Sequence, residues 1–145
     1  MWAMNKNMFI KLVSAGAVML IAVILLLLNV TVLAPERHKG EKTVALVIEY
    51  SDQTYEYRDL KTNAETVLEL LKEYDKALEL QLRTKPSQYG DMLIGLKNAE
   101  QNEAAGAYYT FTVGGEYATN GISTQPIADG NEIKFSYGIA TYDEN

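Results

Sequence analysis

The chain contains no cysteine and only one histidine, His38. Without cysteine it can form no disulfide bond, thiolate metal site or cysteine nucleophile, and it cannot carry a lipid on cysteine. A serine or threonine nucleophile would lack a histidine base, since His38 lies in a charged segment away from the folded part. There is no glycine-rich phosphate loop and no helix with paired histidines. The sequence therefore predicts a protein that is not an enzyme, has no catalytic residue and requires no cofactor.

Positive charge is scarce in the larger part of the chain. Residues 43–145 hold eight lysines and arginines against seventeen aspartates and glutamates, and the formal net charge of the whole chain is −6. Such a surface repels the phosphates of nucleic acids, and no basic patch with interleaved aromatic residues offsets the repulsion. We therefore expect no nucleic-acid partner.

Long apolar runs are also absent, with one exception near the N-terminus. Residues 12–34 contain no charged side chain. At about 1.5 Å per residue, a helix of this length spans the roughly 30 Å hydrocarbon core of a membrane. A cleavable signal peptide is the alternative, but its apolar region is normally shorter, and the small-residue site at 32–34 is followed by Pro35. We favour a single-pass signal anchor at 12–34, preceded by a short tail at 1–11.

Charge does not decide the orientation of this anchor. The terminal amine, Lys6 and Lys11 precede the apolar run, and three cations follow it, so the positive-inside comparison is a tie. The cations that follow are Arg37, Lys39 and Lys42. A folded, tyrosine-rich domain behind a very short N-terminal tail favours an outside location for the domain. We expect a protein of the plasma membrane whose C-terminal domain is extracytoplasmic.

Two segments invite a metal-site interpretation, and neither is predicted to be one. His38 lies in the charged linker 35–42, where it could ligate a metal or a cobalt centre, although a lone linker histidine is normally just solvated. Residues 129–132, Asp-Gly-Asn-Glu, superficially resemble a calcium loop. The regularly spaced acids that such a loop needs upstream are missing, so a β-turn is the simpler interpretation.

The first half of the domain at 43–145 predicts two strands and a helix. Residues 43–50 and 54–58 alternate apolar and polar side chains, as half-buried strands do. Thr62 is a plausible helix N-cap, with Glu65 three residues later as its reciprocal partner. Apolar residues at helical spacing follow, so we predict a helix that buries one face.

The next segment is ambiguous between helix and strand. Its residues favour helices, yet three leucines alternate with polar residues, at positions 78, 80 and 82. We let the alternation decide and predict a strand over 77–84, ended by Lys85-Pro86-Ser87. A short strand over 92–96 and a polar loop over 97–105 complete this half.

The stretch 106–137 predicts a run of strands joined by tight turns. Residues 109–113 alternate, and Gly114-Gly115 supplies two residues that accept the positive φ of a hairpin turn. A short strand at 116–118 and a loop follow, and Asp129-Gly130 makes a second turn into a closing strand. One helix against one mixed sheet of about five strands gives an α+β fold of the β-grasp kind.

Several pieces of this domain resemble the transcobalamin-like C-terminal domain family over residues 43 to about 137. They are Thr66-Val67-Leu68-Glu69-Leu70-Leu71, Tyr89-Gly90, the stretch 108–116, Gly121-Ile122, Pro126-Ile127 and Asp129-Gly130. Two departures from the family pattern stand out. The hairpin has Gly114-Gly115 where the family usually has Asn-Gly, and the tryptophan often found near Tyr108 is missing.

The resemblance implies a binding function. In animal members of the family, this β domain and a large helical domain hold cobalamin between them, and bacterial members occur on surface proteins. No such helical domain is seen in these 145 residues, so we expect a half-site that needs a partner. The expected function is recognition of cobalamin or a related corrinoid together with a transporter subunit. The alternative is a surface module for protein interaction or adhesion, which docks a protein or a cell-envelope component.

Outward polar and aromatic groups near the second hairpin are the predicted ligand-binding residues. They are Tyr108, Tyr117, Asn120, Gly121, Ser123 and Gln125. Tyrosine rings offer flat contact area together with a hydroxyl, and the loop adds amides and backbone groups. An ordinary exposed hairpin without a ligand is the alternative interpretation.

Overall fold

The structure, a computed structural model, describes residues 10–11, 14, 16–24 and 37–139. The chain divides into two units, Met1–Pro35 and Glu36–Asn145. In the first unit, residues 16–24 are helical and exposed. Most of the predicted anchor, including 25–34, lies outside the described residues. Within the described ranges, no helix has the length and apolar character needed to cross a membrane.

Within residues 37–139, eight strands make two sheets. They are β1 (Lys42–Glu49), β2 (Thr54–Thr62), β3 (Arg83–Ser87), β4 (Gly90–Leu96), β5 (Ala99–Glu100), β6 (Ala107–Val113), β7 (Glu116–Tyr117) and β8 (Glu132–Ile139). The larger sheet has the order β2-β1-β8-β6-β7, and the smaller one has the order β3-β4-β5. β1 and β8 are parallel, and the other pairs are antiparallel. The α+β class is confirmed, whereas the prediction of a single sheet is wrong.

Helix α1 (Val67–Tyr74) begins one turn later than predicted. Its N-cap is Thr66, whose hydroxyl accepts a hydrogen bond from the Glu69 amide at 3.4 Å, and the Glu69 carboxylate accepts one from the Thr66 amide at 3.3 Å. Thr62 is instead the last residue of β2, and its hydroxyl donates to the Glu73 carboxylate. The predicted type of cap, a reciprocal pair of threonine and glutamate, is present, but the prediction of Thr62 as N-cap is wrong.

The strand predicted over 77–84 is also wrong. Residues 75–79 form turns, and β3 begins only at Arg83. Glu79 and Gln81 both have φ of 51°, a left-handed conformation that no extended strand contains. They flank Leu80, which is completely buried. The alternating leucines of this segment therefore lie on a chain that reverses direction locally at two residues, and they do not form an extended strand.

Pro86 lies inside β3 and does not interrupt it as predicted. β3 is an edge strand of the smaller sheet, paired on one side with β4. Proline lacks a backbone N–H, which an edge strand can do without on its open side. The predicted polar loop at 97–105 likewise contains β5 and a 3-10 helix, Glu103–Ala105.

One hydrophobic core joins both sheets and α1. The central strands β1 and β8 contribute Leu46, Ile48 and Phe135, and α1 contributes Leu70 and Leu71. Leucines of the smaller sheet and two isoleucines of the β7–β8 loop belong to the same cluster: Leu93, Leu96, Ile122 and Ile127. The loop that carries most of the predicted site residues is thus anchored in the core on both sides.

Candidate ligand-binding clefts

A cavity of about 570 Å³, here called the main cleft, opens between the smaller sheet and the β7–β8 loop. Tyr89 and Met92 from the β3–β4 hairpin form one wall. Phe111 of β6 and Ile122 of the loop line the cleft as well, so most of its surface is apolar. Its volume lies in the range usual for small-molecule sites.

The loop beside the main cleft is bound directly to the N-terminus of α1. The Val67 amide donates to the Gln125 carbonyl at 3.1 Å, and the Leu68 amide donates to the Ile122 carbonyl at 2.8 Å. The side chain of Ile122 is buried in the core. Because a helix start leaves its first amides without helical partners, these bonds satisfy the helix and fix the loop at once.

A second cavity of about 240 Å³, here called the side cleft, lies next to the main cleft. His38, Glu116, Tyr117 and Gln125 are among the residues that line it. Thr119 lines both clefts, which makes them neighbours. The only histidine of the sequence therefore lies at a cavity wall, whereas the sequence analysis predicted that it is solvated in a linker.

Four of the six predicted ligand-binding residues line these two clefts. Asn120 and Gly121 line the main cleft, and Tyr117 and Gln125 line the side cleft. Tyr117 is 78% exposed, so its ring is available to a ligand or partner. The structure thus brings the predicted loop and the β7 hairpin to one continuous surface.

Ser123 and Tyr108 lie elsewhere. The Ser123 hydroxyl is buried against Gly90 and has no hydrogen-bond partner among the described residues. Tyr108 alternates with Tyr109 along β6 and lines a separate cavity of about 450 Å³ with Ile139. A ligand in the main cleft would not contact Tyr108, because the side chains of neighbouring strand residues point to opposite faces.

The sequence analysis did not identify the other wall of the main cleft. Tyr89 is 80% exposed and Met92 is 52% exposed, although both are large and apolar in part. Their position follows from the β3–β4 hairpin. The strand predicted over 92–96 is confirmed as β4, but β3 and a second sheet were not predicted. The signal that could have found them is Tyr89-Gly90, an aromatic residue beside a glycine whose φ is 97° in a tight hairpin turn.

Polar groups deep in the main cleft are occupied by the fold. The Gln101 side chain donates to the Leu93 carbonyl at 2.5 Å and accepts from the Tyr109 amide at 3.2 Å. The Tyr109 hydroxyl donates to the Ala99 carbonyl at 2.8 Å. These hydrogen bonds hold the two sheets together. The Gln101 and Tyr109 side chains do not form a nucleophile–base pair.

Two half-buried tyrosine hydroxyls next to the cleft lead to a prediction at alkaline pH. Burial raises the pKa of Tyr50 and Tyr109 above the ordinary value of 10.0, and a hydrogen bond with Tyr109 raises the pKa of Tyr50 further. Above pH 10 the unfolded chain loses these protons while the folded chain keeps them, so stability falls as pH rises. We expect the double variant Tyr50→Phe/Tyr109→Phe to lose stability less steeply between pH 10 and about 12.

Denaturation by urea at a series of pH values, followed by circular dichroism, measures this slope. Tyr89→Phe is the matched control, because the Tyr89 side chain is largely exposed and forms no side-chain hydrogen bond within the described ranges. Equal slopes for the wild type and the Tyr50→Phe/Tyr109→Phe variant would contradict the prediction.

In the part of the chain that the structure describes, no group of three or more His, Cys, Asp or Glu side chains could hold a metal ion. Asp129, part of the segment that resembles a calcium loop, is used by the fold. Its carboxylate accepts a hydrogen bond from the Thr43 amide at 2.7 Å and so ties the β7–β8 loop to β1. Gly130 has φ of 81°, as a tight turn requires.

Comparison with known proteins gives a family and two similar folds. Residues 64–138, just over half of the chain, match the family described as a domain of unknown function (DUF4430). The structure is similar to haptocorrin in complex with Cbi, with a TM-score of 0.64 and 12% identity over 77% of this chain and 28% of the haptocorrin chain. It is also similar to a candidate metal-binding protein from Ruminococcus gnavus ATCC 29149, with a TM-score of 0.55 and 16% identity over 69% of this chain and 99% of that one.

No curated protein matches the sequence. At identities of 12% and 16%, the two solved structures show a shared fold. This chain spans little more than a quarter of the haptocorrin chain, so it corresponds to one part of that protein. The family match covers α1, the smaller sheet and three of the five strands of the larger one, together with both clefts apart from His38. The chain therefore belongs to the DUF4430 family and has the fold of a transcobalamin-like domain.

Proposed function

We propose that the protein is a membrane-anchored, extracytoplasmic binding module without enzymatic activity, which binds a corrinoid or a related planar ligand at the main cleft. The observation that carries the proposal is an apolar cleft of about 570 Å³ in a domain whose fold is shared with haptocorrin in complex with Cbi. The order of the larger sheet, with β1 and β8 parallel at its centre, supports the β-grasp-like assignment.

The side chains of the main cleft suit a flat ligand. Tyr89 and Met92 stand exposed at its mouth, and Phe111 and Ile122 lie further in. Large apolar side chains held in water favour burial against another surface. A ring system that slides between the β3–β4 hairpin and the loop at 119–124 would cover them.

The proposal includes a partner, because the main cleft is smaller than a corrinoid with its side chains. A ligand bound there would keep much of its surface in water, and such partial burial gives weak affinity. A second protein that covers the exposed part completes the site. The anchor predicted at 12–34 would confine this module to the membrane and raise its effective concentration for a transporter subunit.

Two tyrosines on different surfaces test the location of the site. Tyr89→Ala removes a ring from the main cleft and should weaken corrinoid binding about tenfold, which corresponds to about 1.4 kcal/mol. Tyr108→Ala is the matched control and should leave the affinity unchanged, because Tyr108 lines a different cavity. Titration of the full-length chain in detergent with dicyanocobinamide, followed by corrin absorbance, measures both affinities.

Two outcomes would contradict the proposal. One is the absence of any spectral change up to about 500 μM dicyanocobinamide, with or without a co-purifying membrane partner. The other is an equal loss of affinity in the two variants, which would place the ligand away from the main cleft.

Protein docking is the second candidate function. The exposure of Tyr89, Met92 and Tyr117 around the two clefts favours it, since aromatic side chains and methionine are enriched in protein interfaces. Purification of the full-length chain from its native membrane, with Tyr89→Ala in parallel, separates the candidates. A stoichiometric partner that binds without corrinoid and is lost in the variant would support docking.

A further inference from the structure

We infer that the two clefts select ligands whose polar groups are amides or cations, and that they reject ligands carrying carboxylates or phosphates. The inference deepens the proposed function and rests on it for the identity of the site. Three features of the cleft walls support this preference for neutral or cationic ligands.

The first feature is the charge of the lining. Asp91 in the main cleft and Glu116 in the side cleft are carboxylates, and His38 is the only basic residue. Among the described residues, no lysine or arginine lines either cleft. The ammonium of Lys72 lies 3.8 Å from the Asp91 carboxylate and offsets its charge, but Lys72 does not line the cleft.

Glu116 has no such offset. Within residues 37–139, its carboxylate forms no hydrogen bond and no ion pair, and it is exposed. The side cleft therefore presents a free negative charge beside Tyr117. An anionic group placed there would meet like charge at short range, where screening by salt is weakest.

The second feature is the sealed N-terminus of α1. A helix start is the usual place where a fold binds a phosphate or carboxylate, because its first amides point outward without partners. Here the amides of Val67 and Leu68 donate to carbonyls of the β7–β8 loop, and the Glu69 amide donates to the Thr66 hydroxyl. The helix end next to the clefts has no amide left for an anion.

The third feature is the lack of charged donors in the main cleft, whose described lining contains no lysine, arginine or histidine. The amide nitrogen of Gln101 and the hydroxyl of Tyr109 both donate within the fold. The Ser87 hydroxyl donates to the Gly90 carbonyl at 2.6 Å. The other hydroxyls of the lining, such as that of Tyr89, are neutral and can donate or accept, whereas the Asp91 carboxylate only accepts. This lining suits ligand amides, which donate and accept, and offers a ligand carboxylate no charge-assisted hydrogen bond.

A matched pair of corrinoids tests the inference. Dicyanocobinamide carries amide side chains, and dicyanocobyrinic acid carries carboxylates on the same ring. We expect the full-length chain to bind the acid at least about tenfold more weakly than the amide at 0.15 M salt. The variant Asp91→Asn/Glu116→Gln should narrow this ratio to about threefold or less.

The control variant changes the net charge equally at a distant place. Asp52→Asn/Asp59→Asn lies on the β1–β2 hairpin, and β2 is the edge of the larger sheet opposite β7. Four strand spacings separate β2 from β7, which carries Glu116, by about 19 Å, and this distance exceeds the Debye length of about 8 Å at this salt concentration. Neither Asp52 nor Asp59 lines the main cleft. The control should keep the wild-type ratio, and an equal effect of the two variants would overturn the assignment to the clefts.

The outcomes also separate this inference from the proposed function. Equal binding of the amide and the acid overturns the charge selection and leaves corrinoid binding in place. If neither corrinoid binds, the proposed function fails, and a pair of porphyrins decides the charge selection instead. Tetrakis(N-methylpyridinium)porphyrin should then bind more tightly than tetrakis(sulfonatophenyl)porphyrin, with the difference reduced only in Asp91→Asn/Glu116→Gln. Equal binding of the porphyrins, or none, overturns the inference.

Discussion

Replacement of Phe135 by alanine is expected to lower the free energy of unfolding by about 3–5 kcal/mol. Phe135 is completely buried in β8, the strand between β1 and β6, and its ring stacks on Phe111 with 5.2 Å between the ring centroids. Truncation removes the packing contacts of the buried ring. It also leaves a cavity, which cannot close because β8 is paired with a strand on each side. A loss of this size is a large fraction of the stability of an ordinary domain.

Urea denaturation of the full-length chain, followed by circular dichroism, measures the loss from Phe135→Ala. Ser136→Ala is the matched control, because the next residue of the same strand points to the opposite face of the sheet. The control should change stability by less than about 0.5 kcal/mol, as surface substitutions usually do. A loss below about 1 kcal/mol in Phe135→Ala would contradict the position assigned to the core.

Gly90→Ala is expected to destabilise the domain by about 2–4 kcal/mol and to weaken binding at the main cleft. Gly90 has φ of 97°, which costs a residue with a side chain about 1–2 kcal/mol. A Cβ atom there would also overlap the Ser123 hydroxyl and lie 3.1 Å from the Ser123 Cβ, and such overpacking adds about 1–3 kcal/mol. The turn would have to move, and Tyr89 would move with it.

A second glycine separates the two causes. Gly115 has φ of 84°, and an added Cβ there would have no atom within 4 Å, so Gly115→Ala should show the backbone cost alone. The double variant Gly90→Ala/Ser123→Gly removes the overlap and should return to the stability of Gly115→Ala. Equal stability of Gly90→Ala and Gly115→Ala would show that the contact with Ser123 has no weight.

The larger sheet could be predicted from the sequence because its strands alternate in the simplest way. Phe111 and Val113 face the core while Thr110 and Thr112 do not, and Gly114-Gly115 has the positive φ values that the turn needs. Local chemistry and tertiary packing agree there. The class and most strands of this sheet followed from that agreement.

The start of α1 could not be predicted because the sequence offers the same signal twice. Thr62 and Thr66 are each followed three residues later by a glutamate, so both satisfy the capping pattern. The choice is made by pairing in the sheet, where Thr62 lies opposite Lys42 at the end of β2. No window of the sequence around α1 contains that partner.

Apart from the strand over 92–96, the smaller sheet was not predicted, for a related reason. Glu79 and Gln81 adopt left-handed conformations that glycine normally takes, so the sequence gives no sign of the reversals around Leu80. The missed hairpin carries one wall of the main cleft. The loop at 119–125 could be proposed as a site from its residues, but the residues that face it lie about thirty positions earlier in the chain.

The bonds between α1 and the β7–β8 loop have a consequence for how the family can diverge. The loop is held by its main-chain carbonyls, at Gln125 and Ile122, and by the apolar anchor of Ile122. The side chains of Asn120 and Thr124 take no part in that attachment. Relatives can therefore exchange these side chains, and with them the preferred ligand, while the scaffold beneath stays the same.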